Sequence, residues 1–434
     1  MGSVARSDEL NYPIHQRTLG NGLRVVVSPD HTVPIVAVNL WYDVGSRDEH
    51  PGEYGWAHLF EHLMFSGSDH VATGEHLNLL QSLGGAVNAT TWFDRTNYFE
   101  TLPVGALDLA LWMEADRLAS LPDHLDEASV NTQREVVKEE KRQRYDNVPY
   151  GDAMSHLVTL TFGADHPYGH NTIGSMADLD AATAERAATF FRNHYRPDNA
   201  VLTLVGDVNA KDGFKRAERA FGHLPAWNRR LRQAATALPP LQGLPRLEVS
   251  GRVPAAASWF TWRLPARDTP GFDASELALA ILGGGQTSRL HQQLVRNLGV
   301  AAGASASAMP LIGGNSLGLV QLRALPGAQT DAAVDAALTE LSLLAADGPT
   351  EAELARAKAQ YAREWLSELA GFDSRADMIG AYATLHSDPD RINHRLAEVD
   401  AVTLEAVVAA CTDYLQPAQR AQLDYHQEVG DAQA

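Results

Sequence analysis

The sequence is poor in the features that mark several large classes of protein. Its 434 residues include one cysteine, Cys411, which excludes an internal disulfide framework and favours a reducing compartment. Lys and Arg number 35 against 54 Asp and Glu, a formal net charge of −19, whereas nucleic-acid binding requires clustered positive charge. No apolar run has the length of a membrane span, and the N-terminal MGSVARSDELNYP lacks the apolar core of a signal peptide. We therefore expect a cytoplasmic protein that contacts neither nucleic acid nor membrane, although removal of a signal peptide would leave a similar N-terminus.

The order of segments favours a globular protein built from two similar halves. The runs LGNGLRVVVSPD and VPIVAVNLWYDVGSR predict a first pair of strands. A Val-Pro start, an apolar strand with a tryptophan, a charged loop and a helical segment follow Val33 and again follow Val253. This repeat predicts an α+β fold of two homologous halves, each a mostly antiparallel sheet packed with helices. The Pro-rich LPPLQGLPRL lies near the boundary, and we place the two halves at 1–235 and 236–434.

The stretch AHLFEHL contains two histidines and a glutamate within five residues. On a helix, predicted from Trp56 to Phe65, the side chains of His58, Glu61 and His62 project from one side. Two imidazoles four residues apart can bind one zinc ion, and the carboxylate is placed to take a proton from water whose pKa zinc lowers to about 7. The alternative is a helix with two incidental histidines, because a chain with 17 histidines matches such a pattern by chance on the order of a few per cent. In the second half the aligned positions hold Ala278, Ile281 and Leu282.

Several segments together resemble the pitrilysin/insulinase family of zinc peptidases, which includes the mitochondrial processing peptidases. Besides HLFEH, an inverted zinc-protease motif, they are GGAVNATTWFDRTNYF, QREVVKEEKRQRYDNVPYG and NHYRPDNAVLTLVGDV. The resemblance implies that the chain binds one Zn²⁺ through His58 and His62, that Glu61 is the general base, and that the fold forms half of a clamshell. It also implies cleavage of short or unstructured peptides, because a closed chamber would exclude folded proteins.

The family pattern places a third ligand on a later helix, where NTQREVVKEEKRQ contains the neighbours Glu139 and Glu140. If Val136 and Val137 face the interior, Glu140 falls between them on the helical wheel and Glu139 lies on a flank. We therefore predict that Glu140 is the ligand, the alternative being an ordinary surface or ion-paired charge. Gln133 shares the face of Glu140 at a position where the family often has a glutamate, so its amide is expected to support the site from beyond the ligands.

The segment GGAVNATTWFDRTNYFETLP predicts a Gly-Gly turn, a strand, a polar turn and a second strand. The resemblance implies that the first of these strands, residues 86–91, lies at a sheet edge near the zinc, where a substrate peptide adds as an extra strand. Asn88 and Ala89 would then bind the substrate backbone. The residues alone are equally consistent with an internal hairpin.

The second half lacks a feature that the resemblance implies for a complete enzyme. Active members carry an arginine and a tyrosine seven residues apart there, which hold the substrate at the zinc. In SRLHQQLVRNLGVAAGASA the aligned positions hold Val295 and Ala302, and Arg296 is one residue away, a rotation of about 100° on a helix. A shifted alignment would restore the arginine but not the tyrosine. We therefore expect a heterodimer with a homologous metal-free subunit that supplies this pair, or else a homodimer.

The sequence thus favours a zinc metalloendopeptidase that acts as the zinc-bearing subunit of a larger enzyme. The alternative is a non-catalytic structural or peptide-binding subunit of the same fold, like the core proteins of respiratory complexes. Such members have typically lost motif residues, whereas His58, Glu61 and His62 are all present here.

Overall fold

The computed structural model describes residues 10–226, 236–267 and 269–428. The chain divides into two compact units, and each unit takes segments from both halves of the sequence. The first unit contains Met1–Glu139, Thr172–Arg232 and Glu364–Ala397, and the second contains Glu140–Asn171, Gln233–Arg363 and Glu398–Ala434. The boundary proposed between residues 235 and 236 borders residues 227–235, which lie outside the described residues, so it remains a proposal about the sequence.

The described residues form eleven strands and fourteen α-helices. The strands are β1 His15–Thr18, β2 Arg24–Pro29, β3 Ile35–Tyr42, β4 Ala86–Thr91, β5 Thr96–Pro103, β6 Ala200–Gly206, β7 Arg246–Gly251, β8 Ala257–Pro265, β9 Gly303–Met309, β10 Asn315–Arg323 and β11 Ala421–Gln427. The helices are α1 Trp56–Leu63, α2 Glu75–Ser82, α3 Leu107–His124, α4 Glu127–Lys141, α5 Ala153–Phe162, α6 Met176–Asp180, α7 Ala184–His194, α8 Ala210–Phe221, α9 Pro270–Gly283, α10 Asp331–Asp347, α11 Glu351–Ala370, α12 Phe372–Ala381, α13 Arg395–Asp400 and α14 Leu404–Tyr414. Among these helices, none is both long enough and apolar enough to cross a membrane.

The first unit contains a six-stranded sheet in the order β1-β2-β6-β3-β5-β4. Strands β2 and β6 are parallel, and all other neighbours are antiparallel. Strand β6 reads AVLTLVG and is buried along its whole length, as expected for a central strand covered on both faces. The two valine-rich runs near the N-terminus are strands, as predicted, but they are not a pair, because β6 lies between β2 and β3. The strand that separates them comes from residues far along the chain, so no local pattern could reveal it.

The second unit repeats this topology. Its sheet has the order β7-β11-β8-β10-β9, which corresponds strand for strand to β2-β6-β3-β5-β4, with β7 and β11 parallel and the other neighbours antiparallel. Helix α9 stands where α1 stands in the first unit, after the strand that begins the repeat. The hydrophobic core of the second unit includes Leu277, Leu282 and the buried Cys411. The repeat confirms the predicted α+β fold with two sheets packed with helices.

Each unit is completed by a helix from the other half of the sequence. Helix α12 belongs to the first unit and packs on β3 and β6, whereas α5 belongs to the second unit and packs on β8 and β11. Helix α12 approaches its sheet closely at Gly380, where a Cβ atom would lie 2.7 Å from Cδ1 of Trp41. Glycine is therefore required there for the helix to reach the sheet. The sequence did not predict this exchange of helices.

Candidate metal centre

Helix α1 carries the HLFEH motif, and its first turn is held by a carboxylate from the preceding loop. Gly55 begins the helix with φ 101, and a Cβ atom at this position would lie 2.7 Å from the carbonyl oxygen of Ile173. The buried Glu49 carboxylate accepts the backbone N–H of Gly55 at 2.8 Å and that of Ala57 at 2.7 Å. A negative charge at a helix N-terminus also interacts favourably with the helix dipole. Sequence reasoning missed Glu49, because an acid six to eight residues before the groups it caps does not match a local capping pattern.

The apolar face of α1 fixes the direction in which its histidines point. Its Trp56, Leu59, Phe60 and Leu63 side chains are fully buried. The Phe60 ring stacks on Phe190 of α7 with centroids 5.0 Å apart. On the sheet side, the Tyr98 hydroxyl of β5 donates a hydrogen bond to the Phe60 carbonyl at 3.2 Å. The helix is thus clamped between α7 and β5, and its motif residues share the remaining face.

His58, His62 and Glu140 come together at the predicted position. One ligating atom from each of the three residues lies within 4.8 Å of the others. The two imidazole rings meet edge to face with centroids 4.9 Å apart. Ligands of a tetrahedral zinc ion lie roughly 3.4 Å apart, so small side-chain rotations would bring these atoms onto one ion. Two nitrogens and one carboxylate oxygen are a ligand set typical of catalytic zinc sites, which leave the fourth position open.

Glu140 lies on the last turn of α4, and a neighbouring cation orients it. The Arg144 guanidinium donates to Glu140 Oε1 at 2.8 Å, four residues further along the same helical stretch. Helix α4 is held near both ends: at its start Glu127 accepts the backbone N–H of Ala184, and in its last turn Lys138 donates to Asp180 at 2.8 Å. These contacts hold the helix, and hence Glu140, in place opposite the histidines.

The structure brings Glu140, rather than Glu139, to the histidines, but part of the reasoning behind that choice was wrong. Val137 is fully buried, whereas Val136 is 45% exposed and does not face the interior. At about 100° per residue, Glu140 is turned about 60° from the direction of Val137, and Glu139 about 160°. Glu139 is accordingly exposed and Glu140 half-buried. The direction of the buried Val137 alone therefore distinguishes Glu140 from Glu139 better than the directions of both valines together.

Gln133 lies on the same helix but at a distance from the three ligating atoms. Seven residues separate it from Glu140, a rise of about 10 Å along the helix axis. It is half-buried and lines a cavity of about 500 Å³ together with Ser66, which follows α1, and Thr132. The Ser66 hydroxyl oxygen is buried and has no hydrogen-bond partner among the described residues. Gln133 therefore sits beside a cavity whose lining includes several hydroxyl side chains, where its amide can act only beyond the ligand atoms.

Strand β4 is the sheet edge that carries Asn88 and Ala89. Within the described residues it pairs only with β5. The Trp92 N–H donates to the Arg95 carbonyl at 2.8 Å where the hairpin closes. Because hydrogen bonding alternates along an antiparallel pair, the backbone groups of Ala89 point away from β5 and those of Asn88 point toward it. The Asn88 side-chain oxygen accepts the Ala89 N–H at 2.9 Å. The Ala89 backbone is thus turned toward the edge, but the residue is only 6% exposed and its N–H is held by the side chain of the exposed Asn88.

A buried ionic cluster lies beneath α1 in the same unit. Arg117 binds both carboxylate oxygens of Glu114, through Nε at 3.0 Å and through Nη2, and its guanidinium lies over the Tyr98 ring at 4.5 Å. Burial raises the pKa of Glu114, but Arg117 and the neighbouring His76 outweigh it and hold this pKa below its usual value. Burial raises the pKa of Glu100 well above its usual value, with the Glu114 charge as a further cause and Arg117 acting in the opposite direction. Within the cluster, the charges of Arg117 and Glu114 compensate each other.

The segment of the second half that aligns with the substrate clamp is described as well. Val295 is half-buried and packs against the core of the second unit, whereas Arg296 and Ala302 are exposed. Residues His291–Asn297 form wide, π-type turns. In such turns a one-residue offset rotates a side chain by less than the 100° of an α-helix. The rotation predicted for Arg296 is therefore too large. The segment contains no tyrosine at any register.

Comparison with known proteins identifies the family. Residues 24–174 match the family Insulinase (Peptidase family M16), and residues 181–361 match the domain described as Peptidase M16 inactive domain. The chain is 30% identical over 375 residues to the zinc protease PqqE of Helicobacter pylori, covering 86% of this chain and 83% of that protein. The chain belongs to peptidase family M16. The crystal structure of a protease from Helicobacter pylori has a TM-score of 0.88 and 27% identity to this M16 chain, covering 95% of it and 99% of the other.

A second solved structure shares the fold and is longer than this chain. The periplasmic protease PqqL of Escherichia coli matches with a TM-score of 0.75 and 18% identity, which shows a shared fold. The match covers 96% of this chain but 48% of PqqL, so PqqL is about twice as long. Membership of family M16 confirms the resemblance inferred from the sequence. The second half of this chain matches the inactive domain, and it lacks the HLFEH motif.

Proposed function

We propose that this chain is a zinc metalloendopeptidase that cleaves short or unstructured peptides, with one Zn²⁺ per chain held by His58, His62 and Glu140. The observation that carries the proposal is the meeting of three suitable ligating atoms within 4.8 Å, on two helices that are fixed independently. The zinc-protease name of the relative PqqE supports the choice of metal.

The role of Glu61 follows from its place in the motif. Zinc, when bound, polarises the carbonyl of the peptide bond and makes a water molecule easier to deprotonate. Glu61 is half-buried and lies on the same side of α1 as the two histidines. Its carboxylate takes the proton from the attacking water and returns it to the leaving amine, which is general base and then general acid catalysis.

The substrate would bind as a strand on the edge of β4. The outward N–H and C=O of Ala89 pair with the peptide backbone, and the Asn88 side chain moves from the Ala89 N–H to a group of the peptide. Recognition through backbone groups tolerates many sequences, in line with a peptidase for unstructured peptides. Gln133, on the same helix as Glu140, would support the metal site from beyond the ligands.

We propose a homologous subunit as partner, in a heterodimer, with a homodimer as the alternative. The second half of this chain lacks the arginine and tyrosine pair that the family uses to hold a substrate, so a partner would supply it. The double length of PqqL supports pairing of two such chains. The single cysteine favours the cytoplasm as the place of reaction, although PqqL is described as periplasmic.

A second candidate is a non-catalytic structural or peptide-binding subunit. The observation in its favour is that nearly half of the chain matches a domain described as inactive. The motif residues in the first half weigh against it, since a purely structural subunit has no need of the three ligating groups.

Metal analysis and one substitution separate the two candidates. The purified protein is expected to contain close to one zinc per chain, and Glu61→Gln should retain it while lowering peptide cleavage by at least about a hundredfold. Glu139→Gln, which removes an exposed carboxylate near the site, serves as the control and should cleave like the unaltered protein. A protein without zinc, or full activity in Glu61→Gln, would remove the enzymatic assignment.

The partner proposal needs a separate experiment. Addition of a homologous subunit that carries the arginine and tyrosine pair should raise cleavage sharply, with a shift in sedimentation from one chain to two. Full activity of the isolated chain, without association, would contradict it.

A further inference from the structure

A helix from the second half of the sequence reaches the sheet of the first unit through one carboxylate. Asp377 on α12 accepts hydrogen bonds from Trp41 Nε1 at 2.8 Å, Asn97 Nδ2 at 2.8 Å and Asn39 Nδ2 at 3.4 Å. These donors lie on the neighbouring strands β3 and β5. No motif in the sequence pointed to Asp377, because its partners are more than 270 residues away along the chain.

The hydrogen bonds continue from Asp377 to the edge strand. The Asn97 side-chain oxygen accepts the Thr90 hydroxyl at 2.6 Å, and Thr90 lies on β4 beside Ala89. The Arg95 guanidinium donates to the Thr90 carbonyl at 3.1 Å, contacts its hydroxyl, and lies over the Trp41 ring at 5.2 Å. The contacts therefore form a closed ring that joins α12, three strands and the hairpin turn. We call Asp377, Trp41, Asn97, Thr90 and Arg95 the edge-strand network.

Two features indicate that the network is built to hold β4. Two side chains in the network both donate and accept: Asn97 donates to Asp377 and accepts from Thr90, and Thr90 donates to Asn97 and accepts from Arg95. Satisfied polar networks of this kind fix one arrangement of the chain. Arg95 is also largely removed from water; burial lowers its pKa, and the carboxylates of Asp377 and Glu61 act in the opposite direction. Asp377 thus stabilises the positive charge of Arg95, which donates to Thr90 on the edge strand.

We propose that Asp377 is a positioning residue for substrate binding, which holds β4 through the edge-strand network so that Ala89 can pair with an extended peptide. This inference rests on the proposed function of β4 as the substrate edge. Asp377 does not contact the peptide; it acts through Asn97, Thr90 and Arg95. An edge strand is paired on one side only, so without the network β4 would lose its fixed position before a substrate arrives.

The test is Asp377→Asn, which keeps the shape of the side chain and removes its charge. We expect KM for an unstructured peptide of about twelve residues to rise by at least about tenfold, the usual effect of losing a charged hydrogen bond. We expect kcat to change by less than about twofold, and zinc content to stay at that of the unaltered protein, because the ligand residues are untouched. An unchanged KM, or a loss confined to kcat, would overturn the inference.

Asp30→Asn is the matched control. Asp30 accepts the guanidinium of Arg375, also on α12, at 2.7 Å, but it follows β2, which is four strands away from β4 in the sheet. This variant weakens the docking of α12 to a similar extent and should leave KM unchanged. An equal rise of KM in both variants would show that α12 acts by general docking, and it would overturn a specific role for Asp377.

A structural readout separates this inference from the proposed function. Hydrogen exchange of the backbone of residues 86–91 should accelerate in Asp377→Asn and stay as it was in Asp30→Asn, whether or not the protein cleaves peptides. If Asp377→Asn does not fold, Thr90→Val removes the same link at the strand itself, and binding of a labelled twelve-residue peptide to the Glu61→Gln protein should weaken by a similar factor. Unchanged exchange and unchanged binding would sink the inference even if the zinc and cleavage experiments succeed. Zinc-free, inactive protein with accelerated exchange would instead refute only the peptidase function.

Discussion

Replacement of Arg117 by methionine tests whether the buried cluster beneath α1 is held together as described. Arg117 is 2% exposed and Glu114 is fully buried, so the substitution removes the guanidinium from a buried carboxylate and leaves His76, whose own pKa burial lowers, beside it. Removing one partner of a buried ion pair typically costs about 3–5 kcal/mol, and the lost contact with the Tyr98 ring adds to it. The double variant Glu114→Gln/Arg117→Met has no net buried charge and should recover most of this loss.

The pH dependence gives a second check on the same cluster. In the unaltered protein the pKa of Glu114 is lowered, so its contribution is present above its unfolded pKa and is lost only as the pH falls through the lower, folded value. In Arg117→Met only His76 still opposes burial, so this pKa rises, as burial raises that of Glu100. The penalty is then greatest above the raised pKa. The difference in stability between Arg117→Met and the unaltered protein should therefore shrink as the pH falls through the raised pKa of Glu114.

Hydrogen exchange measured at increasing urea concentrations reports the free energy of unfolding of the first structural unit separately from that of the second. Peptides from α3, which carries both residues, should show the loss in the free energy of unfolding, whereas peptides from α10 in the second unit should not. A loss below about 1 kcal/mol, or a double variant no more stable than the single one, would refute the reasoning from an uncompensated buried charge.

Three further predictions follow from the site and the core. Glu140→Gln should weaken zinc binding by more than the ten- to hundredfold typical of outer partners, and Glu139→Gln should not change it; equal effects in a chelator competition would contradict the ligand choice. Glu49→Ala should destabilise the first unit by about 2 kcal/mol, because two backbone N–H groups of the zinc helix lose their acceptor, and unfolding with urea that matches the unaltered protein would disprove this. Burial raises the pKa of Cys411 to about 12, so its thiol should react with Ellman's reagent at pH 8 only after denaturation; rapid reaction in the native protein would show the thiol to be accessible.

The candidate site was predictable where its pattern is local. HLFEH lies on one helix, so the spacing of four residues suffices to place both imidazoles on one face. The choice between Glu139 and Glu140 was also open to helical geometry, although the exposed Val136 was assigned to the interior. Helix α4 buries only Val130 and Val137, which are seven residues apart and form a narrow stripe. Two adjacent valines in the sequence concealed this stripe.

The parts that could not be predicted depend on contacts between distant residues. Strand β6 enters the sheet between β2 and β3, and α12 crosses from the second half to the first unit, without any local signal for either. Asp377 reaches its hydrogen-bond donors only because α12 belongs to the first unit. Glu49 likewise accepts N–H groups at the start of α1 from a position in the preceding loop that is not adjacent to the helix. For β6 and α12 the chain satisfies polar groups or covers an apolar face with residues that no short sequence window contains together.

The exchange of helices between the two halves has a consequence for synthesis on the ribosome. The sheet of the first unit is complete in sequence by residue 206, yet residues 364–397, which cover β3 and β6, are translated much later. Until they emerge, the apolar surface around Trp41 has no cover, and the nascent first half is a natural client for chaperones. A truncated gene that ends after the first half would therefore yield a protein prone to aggregate rather than a small, independent zinc domain. Assembly of the first unit is accordingly a late event that waits for nearly the whole chain.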